Sequence, residues 1–278
     1  MTCRELIRRT AEQFCAAGVP DPVNDAALLL SKLTGQSPLS LRLDEDTVLD
    51  YRIADAYQSL VEQRISRVPL QYILGEAPFY RRLFRVDPRV LIPRPETELL
   101  CDWALEILKD HPLPRVLDLC CGSGCIGITL KAEKPDAFVT CSDLSTDALE
   151  LAAENAELLG VDVAFCQSDL LDGFATSGFD LIISNPPYIP SAVCDTLQEE
   201  VLQEPRLALD GGLDGLSVYR RIIPDAFRSL VSGGILLMEL GEGEDVEVEK
   251  LLLAGSFVSV EVREDMSGIR RMILARKP

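Results

Sequence analysis

Hydrophobic positions change their period twice along this chain. From Thr2 to about Gly75, apolar residues such as Leu49, Ile53, Tyr57, Leu60 and Ile65 recur at spacings of mostly three or four, which predicts amphipathic helices. Asp21-Pro22 and Ser37-Pro38 read as helix starts or turns within that stretch. Between Glu76 and Arg94 the helical period stops. An extended run over 79–86, a turn at Asp87-Pro88 and a second run at Val90-Leu91-Ile92 predict a β-hairpin. From Pro95 onward strand and helix signals alternate, the pattern of a doubly wound α/β domain. Strands are expected near 115–119, 137–142, 161–166, 179–184, 234–240, 257–262 and 269–275, with helices over about 95–110 and 125–132. The expected organisation is a helical domain at 1–75, a hairpin connector at 76–94 and an α/β domain at 95–278.

The strand over 179–184 runs straight into Asn185-Pro186-Pro187-Tyr188. Two prolines lack N–H donors and fix their own φ, and Pro186 confines Asn185 to extended conformations, so the turn is rigid before any ligand arrives. Asn185 offers one carbonyl oxygen and two N–H donors, the prolines keep free carbonyls, and Tyr188 adds a π-face. Such a turn can hold a planar group bearing an NH2. Taken alone, the four residues are equally an ordinary loop with Tyr188 capping the core.

The turn after the first α/β strand reads Asp118-Leu119-Cys120-Cys121-Gly122-Ser123-Gly124, directly ahead of a helix. Its glycines allow close approach of a ligand to the backbone, and the helix N-terminus favours an anionic group. The glycines are too compressed for the G-x-G-x-x-G dinucleotide fingerprint. Asp143, at the end of the second strand, can accept both hydroxyl hydrogens of a ribose, so a nucleoside ligand is expected. Asp169, after the third strand, can accept from an adenine amine or cap a helix ahead of Leu170. All four strand ends converge on the crevice where open α/β sheets bind ligands.

Composition narrows the setting. The 278 residues carry 27 Lys and Arg against 45 Asp and Glu, a formal net charge of −18, which argues against a broad phosphate-tracking surface. No apolar run reaches the length of a membrane span and residues 1–9 lack a secretory segment, so a cytoplasmic protein is expected. The nine cysteines then read as reduced thiols. Cys120, Cys121 and Cys125 match no C-x2-C pair and the single histidine, His111, precedes a proline, so no metal is expected. Arg81, Arg82, Arg85, Arg89 and Arg94 form the densest positive stretch: a solvated strand face or, collectively, a surface for an acidic or RNA-bound partner.

The chain resembles the seven-stranded, Rossmann-like S-adenosylmethionine-dependent methyltransferases, and within them the peptide chain release factor glutamine N5-methyltransferases. The resemblance rests on 69–75 (PLQYILG), 90–98 (VLIPRPETE), the Gly-rich turn, 185–189 (NPPYI) and the late segments 204–209 (EPRLAL) and 211–216 (GGLDGL). The Asn-Pro-Pro-Tyr turn is shared with enzymes that methylate exocyclic amines in nucleic acid; the flanking segments are more specific. Cys120 stands where the family usually has glycine.

The resemblance implies S-adenosylmethionine as methyl donor, held by Thr97, Asp118, the turn from Cys120 through Cys121, Gly122 and Ser123 to Gly124, Asp143, Asp169, Leu170 and Asn185. It implies catalysis by Asn185, Pro186 and Tyr188, with Pro187 also contacting substrate. The implied acceptor is the glutamine of a Gly-Gly-Gln loop in class I release factors, gripped by the helical domain and the arginine-bearing connector. A monomer with no stable nucleic-acid or membrane partner is expected. A nucleic-acid amine methyltransferase and a non-catalytic binding protein on the same fold are the rivals; the charge disfavours the first and the intact Asn185, Tyr188 and Asp143 disfavour the second.

Overall fold

The computed structural model describes residues 2–44, 49–174 and 178–278; residues 45–48 of the expected helical stretch lie outside the described residues. The chain divides into two compact units, 1–76 with 198–203, and 77–197 with 204–278.

The first unit holds α1 (Cys3–Ala16), α2 (Pro22–Thr34), α3 (Pro38–Leu43), α4 (Tyr51–Ile65) and α5 (Leu70–Leu74). Pro22 and Pro38 open their helices, where a missing N–H costs nothing, and the Ser37 hydroxyl accepts from the Ser40 amide. Phe14, Leu29, Leu30, Leu41 and Tyr57 form its core, and Tyr57 donates its hydroxyl proton to the Ala26 carbonyl. Ile65, expected on the apolar face, is exposed. Arg64 is buried between Asp25 (2.8 Å) and Glu200 (2.9 Å), and Arg67 adds a second pair to Glu200 at 2.6 Å. Burial opposes ionisation of Glu200, but the hydrogen bonds from Arg67 and Arg64 outweigh it and hold the carboxyl at about 2. Segment 198–203, far away in sequence, is thereby tied to this unit.

A two-stranded ribbon, β1 (Glu76–Phe79) and β2 (Arg82–Arg85), follows. The expected hairpin is therefore corrected: the chain reverses at Tyr80-Arg81, inside what looked like one strand, and Val90–Ile92 forms no strand. Tyr80 and Arg81 adopt left-handed φ values of 47° and 62° without the usual glycine or asparagine. Contacts from other elements hold them there. Glu98 accepts from the Tyr80 amide at 2.9 Å and Asp102 from its hydroxyl at 2.7 Å, while Arg82 pairs with Glu133 at 2.6 Å.

The rest of the second unit is α6 (Pro95–Leu108), β3 (Arg115–Leu119), α7 (Cys125–Glu133), β4 (Phe138–Asp143), α8 (Thr146–Leu159), β5 (Ala164–Gln167), β6 (Phe179–Ser184), α9 (Ser191–Cys194), a 3-10 turn at Arg206–Ala208, α10 (Ser217–Ser229), β7 (Leu230–Glu239), α11 (Asp245–Ala254), β8 (Val258–Glu264) and β9 (Arg270–Arg276). Seven strands form one sheet in the order β5-β4-β3-β6-β7-β9-β8. Strands β3 to β7 are parallel, and β9 runs antiparallel to both β7 and β8. Successive side chains face opposite sides of a strand. Accordingly Val116, Leu181, Ile183 and Leu237 pack with Leu100, Trp103, Ile128 and Leu130, whereas Leu117, Ile182, Leu236 and Met238 pack with Tyr219, Ile222 and Leu252. The chain winds outward from β3 through β4 to β5, then crosses to β6 on the other side. The register places Leu119 beside both Ser142 and Ser184, so β3, β4 and β6 end together at that switch point.

Candidate active site

A crevice of about 180 Å³ opens at these strand ends. Cys120, Gly122, Asp143, Asp169, Leu170, Asn185 and Pro187 line it, seven of the residues expected from sequence. Leu91, Leu144, Leu207, Ala208, Val218 and Arg221 are among the other residues of its walls.

On the β3 side the turn presents backbone. Cys120 takes φ 61° and Gly122 φ 52°, both left-handed, so the cysteine accepts the angle expected to need glycine. A Cβ placed on Gly122 would meet no atom within 4 Å, which leaves its bare backbone facing open space. Asp143 ties β4 to this turn: Oδ2 accepts from the Gly122 amide and Oδ1 from the Ser145 amide, each at 2.9 Å. Burial raises the Asp143 carboxyl above its ordinary value, opposed by these two amides. Cys121 and Ser123 are buried and tie in the turn through the main chain, Cys121 by donating its amide to the Ser142 carbonyl at 3.0 Å. Ser123 does so by accepting from Asn155 at 3.0 Å. Asp118 is fully buried beneath the turn, where Oδ2 accepts from the Gly127 amide at 2.8 Å and Oδ1 has no partner. Burial pushes its carboxyl up to about 7. Asp118 thus supports the loop from below and does not line the crevice.

Asp169 lies on the wall paired with Arg221 at 2.9 Å, an interaction invisible in the sequence pattern. The arginines of 81–94 find acidic partners within the unit: Arg82 on Glu133, Arg85 on Glu154, Arg89 on Asp87 and Glu154, and Arg94 on Glu204 at 2.5 Å. Buried Glu204 also accepts from the Ile92 amide at 2.9 Å, which is why the 90–98 and 204–209 segments belong together.

On the β6 side the support comes from side chains and distant loops. The Thr97 hydroxyl donates to Glu239 Oε2 at 2.7 Å and accepts from Asn185 Nδ2 at 3.3 Å. Thr97, expected to touch the cofactor, is 2% exposed and stands behind Asn185, outside the crevice lining. Tyr188 directs its hydroxyl at Glu239 Oε1 at 3.5 Å, and burial raises its phenol above the ordinary range. Glu239, absent from the expected set, ends β7 fully buried, with its carboxyl pushed by burial to about 7. A lone carboxylate at the end of the apolar run 235–240 is the signal that could have found it.

The backbone after the turn bonds with segment 209–217: Ile189 N to Leu209 O at 2.9 Å, Gly211 N to Ile189 O at 2.8 Å and Ser191 N to Gly212 O at 2.8 Å. Glycines are required by this close approach. A Cβ on Gly211 would stand 2.7 Å from Tyr188 Cα, and one on Gly215 only 2.5 Å from the Tyr188 carbonyl oxygen.

Comparisons with known proteins fit this geometry. The family model "Methyltransferase small domain" matches residues 98–214 and "PrmC N-terminal domain" matches 5–75. The release factor glutamine methyltransferase of Deinococcus radiodurans is 42% identical over 279 residues, spanning 100% of this chain and 99% of that protein. The chain belongs to the release factor glutamine methyltransferase family. The family member from Chlorobaculum tepidum is also 42% identical, over 96% of this chain and 94% of its own. Among solved structures, a methyltransferase from Pyrococcus furiosus superposes with a TM-score of 0.53 at 16% identity, covering 79% of this chain and 97% of that one. A Thermus thermophilus 16S rRNA N2 G1207 methyltransferase, in complex with AdoMet and guanosine, gives 0.55 at 18% identity over 73% and 50%. At these identities the two structures share the fold with this family member.

Proposed function

We infer that this chain methylates the side-chain amide nitrogen, N5, of the glutamine in the Gly-Gly-Gln loop of class I peptide chain release factors. The observation that carries the reading is the full-length match to relatives bearing that activity in their names, helical unit included. When bound, S-adenosylmethionine supplies an electrophilic sulfonium methyl. The crevice suits it: a carboxylate fixed by two backbone amides for the ribose hydroxyls, exposed main chain at Gly122, and apolar walls from Leu144 and Leu170.

A glutamine amide is a poor nucleophile because its lone pair is delocalised into the carbonyl. With Nδ2 turned to Thr97, Asn185 keeps Oδ1 to accept one hydrogen of the acceptor NH2, and the Pro186 carbonyl accepts the other. Two acceptors held by a rigid turn aim the nitrogen lone pair along one direction and favour its pyramidalisation. The Tyr188 ring offers a π-face to growing positive charge. Orientation of this kind supplies roughly 7–11 kcal/mol in well-ordered systems, in keeping with a site that has no dedicated base, and the surplus proton of the methylated nitrogen leaves to water. The helical unit and the residue 81–94 segment recognise the rest of the factor, and Asp169 accepts from the adenine amine. The chain acts as a cytoplasmic monomer without a stable nucleic-acid or membrane partner; among the described residues no helix is long and apolar enough to cross a membrane.

Incubation with labelled S-adenosylmethionine, a release factor and its Gln→Ala variant in the Gly-Gly-Gln loop tests this. Label on the glutamine of the first only, located by mass spectrometry, is expected. Label confined to added DNA or RNA overturns the reading.

A further inference from the structure

The Thr97 hydroxyl has one proton and two neighbours, Glu239 Oε2 at 2.7 Å and Asn185 Nδ2 at 3.3 Å. With Glu239 ionised, that proton goes to the carboxylate, and Thr97 has only a lone pair to offer Asn185. The Asn185 NH2 end must then face Thr97, and Oδ1 is the end left for an acceptor. With Glu239 neutral, its own O–H donates to Thr97, the threonine proton turns towards Asn185, and the favourable arrangement reverses. The NH2 end would then meet an acceptor NH2, donor against donor.

We propose that Glu239 is a positioning residue whose charge, relayed through the Thr97 hydroxyl, decides which end of the Asn185 amide faces the methyl acceptor. The proposal rests on the N5-glutamine reading for its direction and on the hydrogen-bond chain for its existence. It explains why a carboxylate is kept fully buried at the end of β7. A polar network of this kind is favourable only when each member is satisfied, and here Thr97, Tyr188 and Glu239 satisfy one another.

The groups around Glu239 set where it titrates. Burial raises its carboxyl most, the Thr97 hydrogen bond opposes this, Glu96 on α6 raises it further, and Arg271 on β9 and the Tyr188 hydroxyl lower it. The Cys125 thiol on α7 also feels its field, and the Tyr219 hydroxyl on α10 donates to its backbone carbonyl at 2.8 Å. The balance leaves Glu239 near neutrality, so a change of pH within the neutral range switches the relay.

Two measurements on the full-length protein test this. The first is the pH profile of kcat/KM for a release factor at saturating S-adenosylmethionine. Wild type is expected to rise through the neutral range to a plateau. Glu239→Gln, whose carbonyl still accepts from Thr97 but cannot ionise, should lose that acid limb. Thr97→Ser should keep the limb, and Thr97→Val should lose it along with about tenfold in kcat/KM, the size of one misplaced hydrogen bond. Affinity for S-adenosylhomocysteine, within about threefold of wild type in each variant, confirms a folded site, the difference being small beside the loss of one good hydrogen bond. The second readout needs no acceptor: the side-chain amide NMR signals of Asn185, assigned by their loss in Asn185→Ser, should titrate near neutral pH in wild type and stay flat in Glu239→Gln. An unchanged acid limb in Glu239→Gln, or an Asn185 amide that does not titrate in wild type, overturns the relay. A wild-type protein that methylates no release factor overturns the function reading, and the NMR titration still decides the relay.

Discussion

The two turns that meet in the crevice are built in opposite ways. The turn after β3 is held mainly through its backbone: left-handed angles at Cys120, Gly122 and Gly124, hydrogen bonds from the Gly122 and Ser145 amides to Asp143 and from the Asn155 side chain to the Ser123 carbonyl, and a helix starting at Cys125. The turn after β6 has rigid prolines but depends on remote residues for its direction. Thr97 and Glu239 orient Asn185, and Gly211 and Gly215 leave room for the Tyr188 backbone. The proposed cofactor contacts, main chain and one carboxylate, need only a backbone held in shape. An acceptor amide whose donors and acceptors must be told apart needs a side chain held by a network.

The sharpest break in that comparison is Asn185→Ala. Removing the oriented carbonyl should lower kcat by about 100- to 1,000-fold, the loss of a preorganised polar contact, and leave S-adenosylhomocysteine affinity within a few-fold. Near-normal turnover would detach the β6 turn from the chemistry. Each turn also rests on a buried acid, and both contribute to the pH dependence of stability. Glu239 stands at about 7 in the fold against an ordinary 4.5, and Asp118 at about 7 against 3.8. Between those limits the native state binds more protons than the unfolded one, so stability falls as pH rises from about 4 to 7, by about 3 kcal/mol for Glu239 and about 4 kcal/mol for Asp118. Denaturant titrations across that range should show the decline, and Glu239→Gln and Asp118→Asn should each flatten it.

Asp143→Ala should weaken S-adenosylhomocysteine binding by about 10- to 100-fold, as expected for charge-assisted hydrogen bonds, without changing the release factor KM. Calorimetry and steady-state kinetics separate the two, and a rise in the release factor KM alone would exchange the roles of the turns. Gly215→Ala forces the Tyr188 backbone to move and should reduce kcat roughly tenfold, with overpacking costing about 1–3 kcal/mol of stability. The smallest effect is expected at Cys120→Gly. Relief of a left-handed angle that costs roughly 1–2 kcal/mol is largely offset by the glycine's greater freedom when unfolded, so stability should change by less than about 1 kcal/mol in a melt.

Much of the fold was legible. Strands β3 and β6 begin and end where their apolar runs predict, whereas β7 starts four residues earlier than expected, at Leu230, and ends one residue sooner, at Glu239. Segments 179–184 and 115–119 are apolar on both faces, as strands buried between helix layers must be. The hairpin was misplaced because Tyr80-Arg81 carries no turn signal; Glu98 and Asp102, on α6, hold it. Segment 198–203 also gave no hint of joining the helical unit, since the ion pairs of Glu200 with Arg64 and Arg67 span more than a hundred residues.

By itself the sequence determined the alternating α/β architecture, the crevice at its strand ends and the residue types that meet there. These follow from periodicity and backbone chemistry, which act over a few residues. Only the tertiary structure decided how those groups point: that Asp169 shares its carboxylate with Arg221, that Thr97 backs Asn185, and that Glu239 closes the chain behind them. The direction of a hydrogen bond depends on where the partner's proton lies, and here each partner comes from a different and distant element.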